Sequence, residues 1–215
     1  MKSRLVALIL ATGITASVHA ATITVTNVGS DAPHTNGISD STGTLLNNTF
    51  VALGYFTGLT DADLMAMSPS TFSAIIGSTA FAQLGSQITW VAPGAYQGVA
   101  GAATPALSPF VGKSAYTLIG NAATLSASTE LLIAKHSFTI PEDPNTSADA
   151  ILDLSGGGGN GTILWGNTGS FSFDFGSGAQ PSYSTLSAAS AAPEPSRIIF
   201  AASGLFGCLL RRRRN

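Results

Sequence analysis

Seven of this chain's nine basic residues lie within twenty positions of one end or the other, each group beside an apolar run. That arrangement confines any independently folding domain to the stretch between the two runs. At the start, Lys2 and Arg4 precede an apolar segment from Leu5 to Ala16. Val18-His19-Ala20 then places small side chains at the −3 and −1 positions of a cleavage before Ala21. Residues 1–20 therefore read as a secretory signal, cut between Ala20 and Ala21. At the far end, a 13-residue apolar run from Ile198 to Leu210 is followed by Arg211, Arg212, Arg213 and Arg214. As a helix the run rises about 20 Å, short of a hydrocarbon core about 30 Å thick. The arginines stay cytoplasmic by the positive-inside rule, on the side where Lys2 and Arg4 start. Residues 21–192 are thereby placed across the membrane.

Just ahead of this run stands Pro193-Glu194-Pro195. Short motif, apolar segment and arginine cluster, in that order and paired with a signal peptide, resemble the PEP-CTERM sorting signal of Gram-negative bacteria. The resemblance covers residues 192–215. It implies two processing partners, a signal peptidase at the first end and a membrane-embedded exosortase at the second. Pro193, Glu194 and Pro195 would be the recognition motif, and Ile198 to Leu210 with Arg211–Arg214 a retention segment holding the chain in the inner membrane as a short transmembrane helix. The processed protein would rest at the cell surface or outside the cell. Proteins with this signal tend to accompany exopolysaccharide production, which implies a role in the extracellular matrix.

Between the ends, charged residues are scarce, 9% of the whole chain, and Gly, Ala, Ser and Thr take their place. Such residues suit flat sheets and turns. Runs at Thr22–Val28, Thr49–Phe56, Gln87–Val91, Ala115–Ile119, Glu130–Phe138, Ala150–Leu154, Gly161–Trp165 and Ser170–Phe175 alternate or are rich in β-branched and aromatic residues. In the last, Phe171, Phe173 and Phe175 fall on one face, as in a half-buried strand. One helical stretch interrupts them. Thr60-Asp61-Ala62-Asp63 forms a capping box with Asp in the last place, and Leu64, Met65 and Met67 follow. Ser68-Pro69 restarts the helix as N-cap and first-turn proline, Phe72, Ile75 and Ile76 give it an apolar face, and Gly77 ends it. The expected fold is mainly β: an antiparallel β-sandwich or jelly-roll-like domain over 21–175 with one short helical insertion. Residues 176–192, nearly all Gly, Ser, Ala and Pro, read as a flexible linker before the sorting signal of 193–215.

The only cysteine, Cys208, lies in the C-terminal apolar run, so the body has neither a disulfide nor a thiol nucleophile. In 21–192 two lysines, Lys113 and Lys135, face ten acids, a net charge of −8. So few cations argue against nucleic acid as a partner. No Gly-x-Ser-x-Gly elbow occurs. After signal removal two histidines remain: His34, in a polar loop with Asp31, and His136, beside Lys135 in a strand and read as a sheet-surface residue. Asp61 and Asp63 are accounted for by the helix start. Glu142-Asp143 with Asn145 is the other place where calcium fits, and no other cofactor is expected. The glycine run 156–159 lacks both the Asp of a calcium repeat and the Lys of a phosphate loop.

Taken together, the expectation is a non-enzymatic surface or matrix protein with no catalytic residue. The alternative is a carbohydrate-binding module stacking sugars on Trp90, Tyr96 and Trp165. A polysaccharide-active enzyme using two carboxylates comes third.

Overall fold

The computed structural model describes residues 20–28, 36–103, 107–142, 148–153, 159–176 and 178–188. The signal segment before Ala20, the Asp31–His34 loop, Asp143, Asn145, most of the glycine run, the Pro193–Pro195 motif and the retention segment all lie outside the described residues.

The elements in chain order are β1 (Ala20–Thr26), β2 (Ile38–Ser39), β3 (Val51–Phe56), α1 (Asp61–Met65), α2 (Pro69–Ile76), β4 (Phe81–Gln83), β5 (Trp90–Ala92) and β6 (Ala95–Ala103). They continue with β7 (Ser114–Gly120), a 3-10 turn (Leu125–Ala127), β8 (Leu131–Thr139), β9 (Ala148–Ile151), β10 (Gly161–Trp165), β11 (Asn167–Asp174) and β12 (Ala179–Ser184). The protein is mainly β. Strands form three sheets, ordered β5-β6-β1-β9, β10-β8-β7-β3-β4 and β11-β12-β2.

Most pairings are antiparallel, but β1 pairs β9 and β12 pairs β2 in parallel. The antiparallel expectation thus holds for most pairings and is corrected at these two. Parallel neighbours require long crossovers, here the chain from β1 to β9 and from β2 to β12.

The five-stranded sheet is covered on both faces. Leu131-Leu132-Ile133-Ala134 in β8 is buried residue after residue, as a two-faced strand must be. Leu132 and Ala134 join a cluster with Val51, Leu53 and Ile119 of their own sheet and Ile23, Val25, Tyr96, Ala100 and Ala150 of the first sheet. Leu131 and Ile133 point the other way, into a cluster with Phe56, Tyr116, Leu118, the helical residues Leu64, Phe72 and Ile75, and Met67 from the link between the helices. Each Leu or Ile so buried contributes about 1.5–3 kcal/mol.

Both helices start as their sequences dictate. Thr60 caps α1 reciprocally with Asp63, and Ser68 accepts from Thr71 N ahead of Pro69. Gly77 follows α2 as its C-cap.

Four strands lack a sequence signal. One is β6, whose Gly- and Ala-rich run leaves the β5–β6 hairpin by way of Pro93-Gly94. Gly94 has φ +77° there, as the second central residue of a type II turn requires. The short β2 and β4 are others. The fourth, β12, overturns the linker reading of 176–192 over most of its first half. Tyr183 is 1% exposed, Ser182, Ser184 and Thr185 are buried, and Leu186 bridges to Leu131. Composition misleads here because small residues fit a strand packed close to its neighbours as well as they fit a coil.

At the other end, β1 starts at Ala20, so the cleavage expected between Ala20 and Ala21 would fall at its first peptide link.

Candidate functional site

Three of the places where polar side chains converge adjoin β8. On its inner face, His136 is 2% exposed, which corrects the sheet-surface reading. Alternation forces this outcome: with Leu132 and Ala134 facing inward, His136 must follow and Lys135 must face out. The His136 Nε2 lies 2.8 Å from Thr117 Oγ1 and its Nδ1 lies 2.8 Å from Asn160 Oδ1. Asn160 Oδ1 is also bonded by the Ile151 amide, so it serves as an acceptor. His136 therefore donates from Nδ1, and its Nε2 accepts the Thr117 hydroxyl. Burial pushes the imidazole down to about 4, against a smaller upward pull from the Asn160 hydrogen bond.

A hydroxyl, a histidine and a carboxamide in line have the connectivity of a nucleophile, a base and its orienting group. Here, though, Thr117 is fully buried. Asn160 also donates to the Asp149 carbonyl from its side chain, its amide donates to the Ile151 carbonyl, and its own carbonyl accepts from the Ser137 amide. The trio joins β9 of the first sheet to β8 of the second.

On the outer face, Lys135 Nζ meets Asp61 Oδ2 at 2.6 Å, and the Tyr116 hydroxyl donates to Asp61 Oδ1 at 2.7 Å. The Lys135 hydrogen bond holds the Asp61 carboxyl below its ordinary value. Burial, followed by the Asp61 hydrogen bond, pushes the Tyr116 phenol up to about 12. Asp61 thus does more than begin a helix. It ties α1 to the sheet, and only the fold could reveal that second role.

At the start of β8, Glu130 accepts from the Ser41 amide at 3.0 Å, from the Ser41 hydroxyl, and from the Thr185 hydroxyl at 2.6 Å. One residue on, Leu131 and Leu186 exchange backbone bonds of 2.9 Å each. Trp165 Nε1 donates to the same Leu186 carbonyl at 3.1 Å. These contacts form a junction where the C-terminal stretch is fastened to the body.

Of the aromatic candidates, Trp90 and Tyr96 are core residues, 9% and 0% exposed, packed edge to face at 5.8 Å. Trp90 Nε1 donates to the Thr49 carbonyl. Neither ring presents a face to a sugar. Trp165 is half-buried.

A half-open cavity of about 360 Å3 is lined by Leu107, Ser108, Val111 and Glu142. Glu142 supplies the one carboxylate among these four. Among the described residues, no three His, Cys, Asp or Glu side chains gather as a metal site would require. Among the same residues no helix is long and apolar enough to cross a membrane.

Compared with protein-family models, curated proteins and solved structures, the chain shows no match to any of them.

Proposed function

We propose that the chain is an exported protein of the PEP-CTERM type, whose β-sandwich body acts by contact in the extracellular matrix and performs no catalysis. One observation carries the reading. Pro193-Glu194-Pro195 stands directly before the apolar run Ile198–Leu210 and the arginines Arg211–Arg214, in a chain whose first twenty residues have the layout of a secretory signal. In support, the strands run from β1 (Ala20–Thr26) to β12 (Ala179–Ser184), between the two signal segments in the sequence. The sandwich reading draws on the core shared by the first sheet and the five-stranded sheet.

The non-enzymatic reading draws on how the polar clusters are employed. Both nitrogens of His136, both oxygens of Asp61 and both oxygens of Glu130 are held by neighbouring elements. Matrix contact is the coarsest part of the proposal and has a definite electrostatic signature. At −8, residues 21–192 repel an acidic polysaccharide at low salt unless a divalent cation bridges the two.

Two experiments test the reading. In a host with an exosortase, Glu194→Ala should leave full-length precursor in the inner membrane; unchanged release would make the tail an ordinary anchor. Protein from the producing cells, incubated with their own polysaccharide, should co-sediment more strongly with calcium than with chelator. Shortening of the polysaccharide would overturn the non-enzymatic reading.

A further inference from the structure

We propose that the open edge of β11 is a homodimer surface, where two copies of the chain pair antiparallel about Phe173 and cover each other's phenyl stripe. The proposal is independent of the sorting reading.

Five of the six strands at the sheet edges are blunted. β2, β4 and β5 have two or three residues, β9 has four and carries Asp149, and β10 lies beside α1. Short length, charge and a covering helix all protect an edge against stray pairing. β11, with eight residues, is the exception. β12 pairs with one side of it, and among the described residues no strand pairs with the other. It contains neither lysine nor proline, and its single charge is Asp174.

The side chains show what that edge lacks. Phe171, Phe173 and, just past the strand, Phe175 share one face. They pack onto Gly43, Gly37 and Gly94, where added Cβ atoms would sit 2.7, 2.9 and 3.3 Å from the respective rings. All three rings nevertheless stay only half-buried, because the sheet ends at their strand. One more strand would cover their outer flanks.

A second copy supplies it, since the stripe is its own complement. Pairing about Phe173 sets Phe171 of each copy opposite Phe175 of the other and keeps every phenyl on one face. It also puts each Asp174 opposite an uncharged Ser172. Centring the pair on Ser172 would leave Phe175 opposite Gly169, and centring it on Asp174 would bring the two acids together. Gly169 at φ +75° and Gly176 at φ +102° bound the stretch, so the contact is short. It falls well below the standard interface of about 1,600 Å2, and the dimer is accordingly weak, with a dissociation constant of about 10–100 μM.

Equilibrium sedimentation of the full chain in nonionic detergent tests the pairing, because association through the apolar tail is blind to charge at residue 172. Ser172→Lys places a cation opposite each Asp174 and should tighten the dimer about fivefold, a gain lost in about 1 M salt. Ser172→Asp places like charges there and should weaken it about fivefold. A general cost of charging an edge strand would instead weaken both variants. Trypsin resistance of the body checks that each is folded. A wild-type chain still monomeric at about 0.5 mM would overturn the proposal. So would a dimer that responds to neither charge, or to both alike.

Discussion

Lys135 and His136 are consecutive residues of β8, yet they live in opposite electrostatic worlds. Lys135 faces outward, is about one-third exposed, and pairs with Asp61. His136 faces inward, is 2% exposed, and is held neutral between Thr117 and Asn160. The difference teaches which polar contacts the fold depends on. An ion pair in contact with water is worth little, because solvent and salt screen it. A buried neutral network matters more, since losing one member strands the others without partners.

The sharpest way to break this contrast is to remove the inner residue. His136→Ala should lower unfolding stability by about 3 kcal/mol, combining a cavity with an orphaned Thr117 hydroxyl. The midpoint of urea unfolding measures it. A loss below about 1 kcal/mol would show that the trio is not a structural joint.

Acid probes the same residue without mutation. In the unfolded chain a histidine takes up a proton near its ordinary value of 6.5, whereas the folded His136 resists until about 4. The unfolded state therefore binds more protons in that window, and stability falls as pH drops from about 6.5 to about 4. The total is about 3 kcal/mol. Asp61 behaves differently, since its folded value lies below the ordinary 3.8. Its contribution is present above that value and is lost only as pH falls further, through the depressed folded value. Two separated declines in stability are expected. The upper one should vanish in His136→Ala, and its persistence would assign it to another group.

The outer face should respond more weakly. Thr60→Val removes the hydroxyl that caps α1 and should cost about 1 kcal/mol. Lys135→Met, which breaks the pair with Asp61, should cost roughly 0.5 kcal/mol and lose even that in 1 M salt. If Lys135→Met proved as damaging as His136→Ala, the contrast between the two faces would collapse.

The two faces were also unequally legible in the amino-acid sequence. The outer one was readable in part: Thr60-Asp61-Ala62-Asp63 and Ser68-Pro69 announce both helix starts by local chemistry, and α1 and α2 begin there. Eight strands were marked by alternation or β-branched runs, with ends displaced by a few residues. Inner-face chemistry was hidden, because a polar pair closing an apolar run does not say which member turns inward. His136's partner Asn160 stands 24 positions away, at the close of a glycine-rich stretch. β6 and β12 were hidden for another reason. Their Gly, Ala, Ser and Pro residues carry no apolar rhythm, yet close packing is what requires them. A Cβ on Gly98 would sit 3.1 Å from Ile88 Cγ2. Pro181 is tolerated in β12 because the parallel partner β2 pairs only Tyr183 and Ser184, beyond it.

The two parallel pairings also bear on when this protein can fold. Ile23 waits for Ala148 to arrive, and Ile38 waits for Tyr183. A chain that emerges N-terminus first thus keeps β2 without its strand partner until almost all of the body has followed. Its native contacts are dominated by residues far apart in sequence, the regime in which small domains fold in milliseconds to seconds rather than microseconds. For that interval the early strands offer open edges to any neighbouring copy. Low charge and an abundance of glycine leave few residues to discourage such pairing. The yield of native protein should therefore fall steeply with concentration during refolding, even though the finished molecule buries those edges.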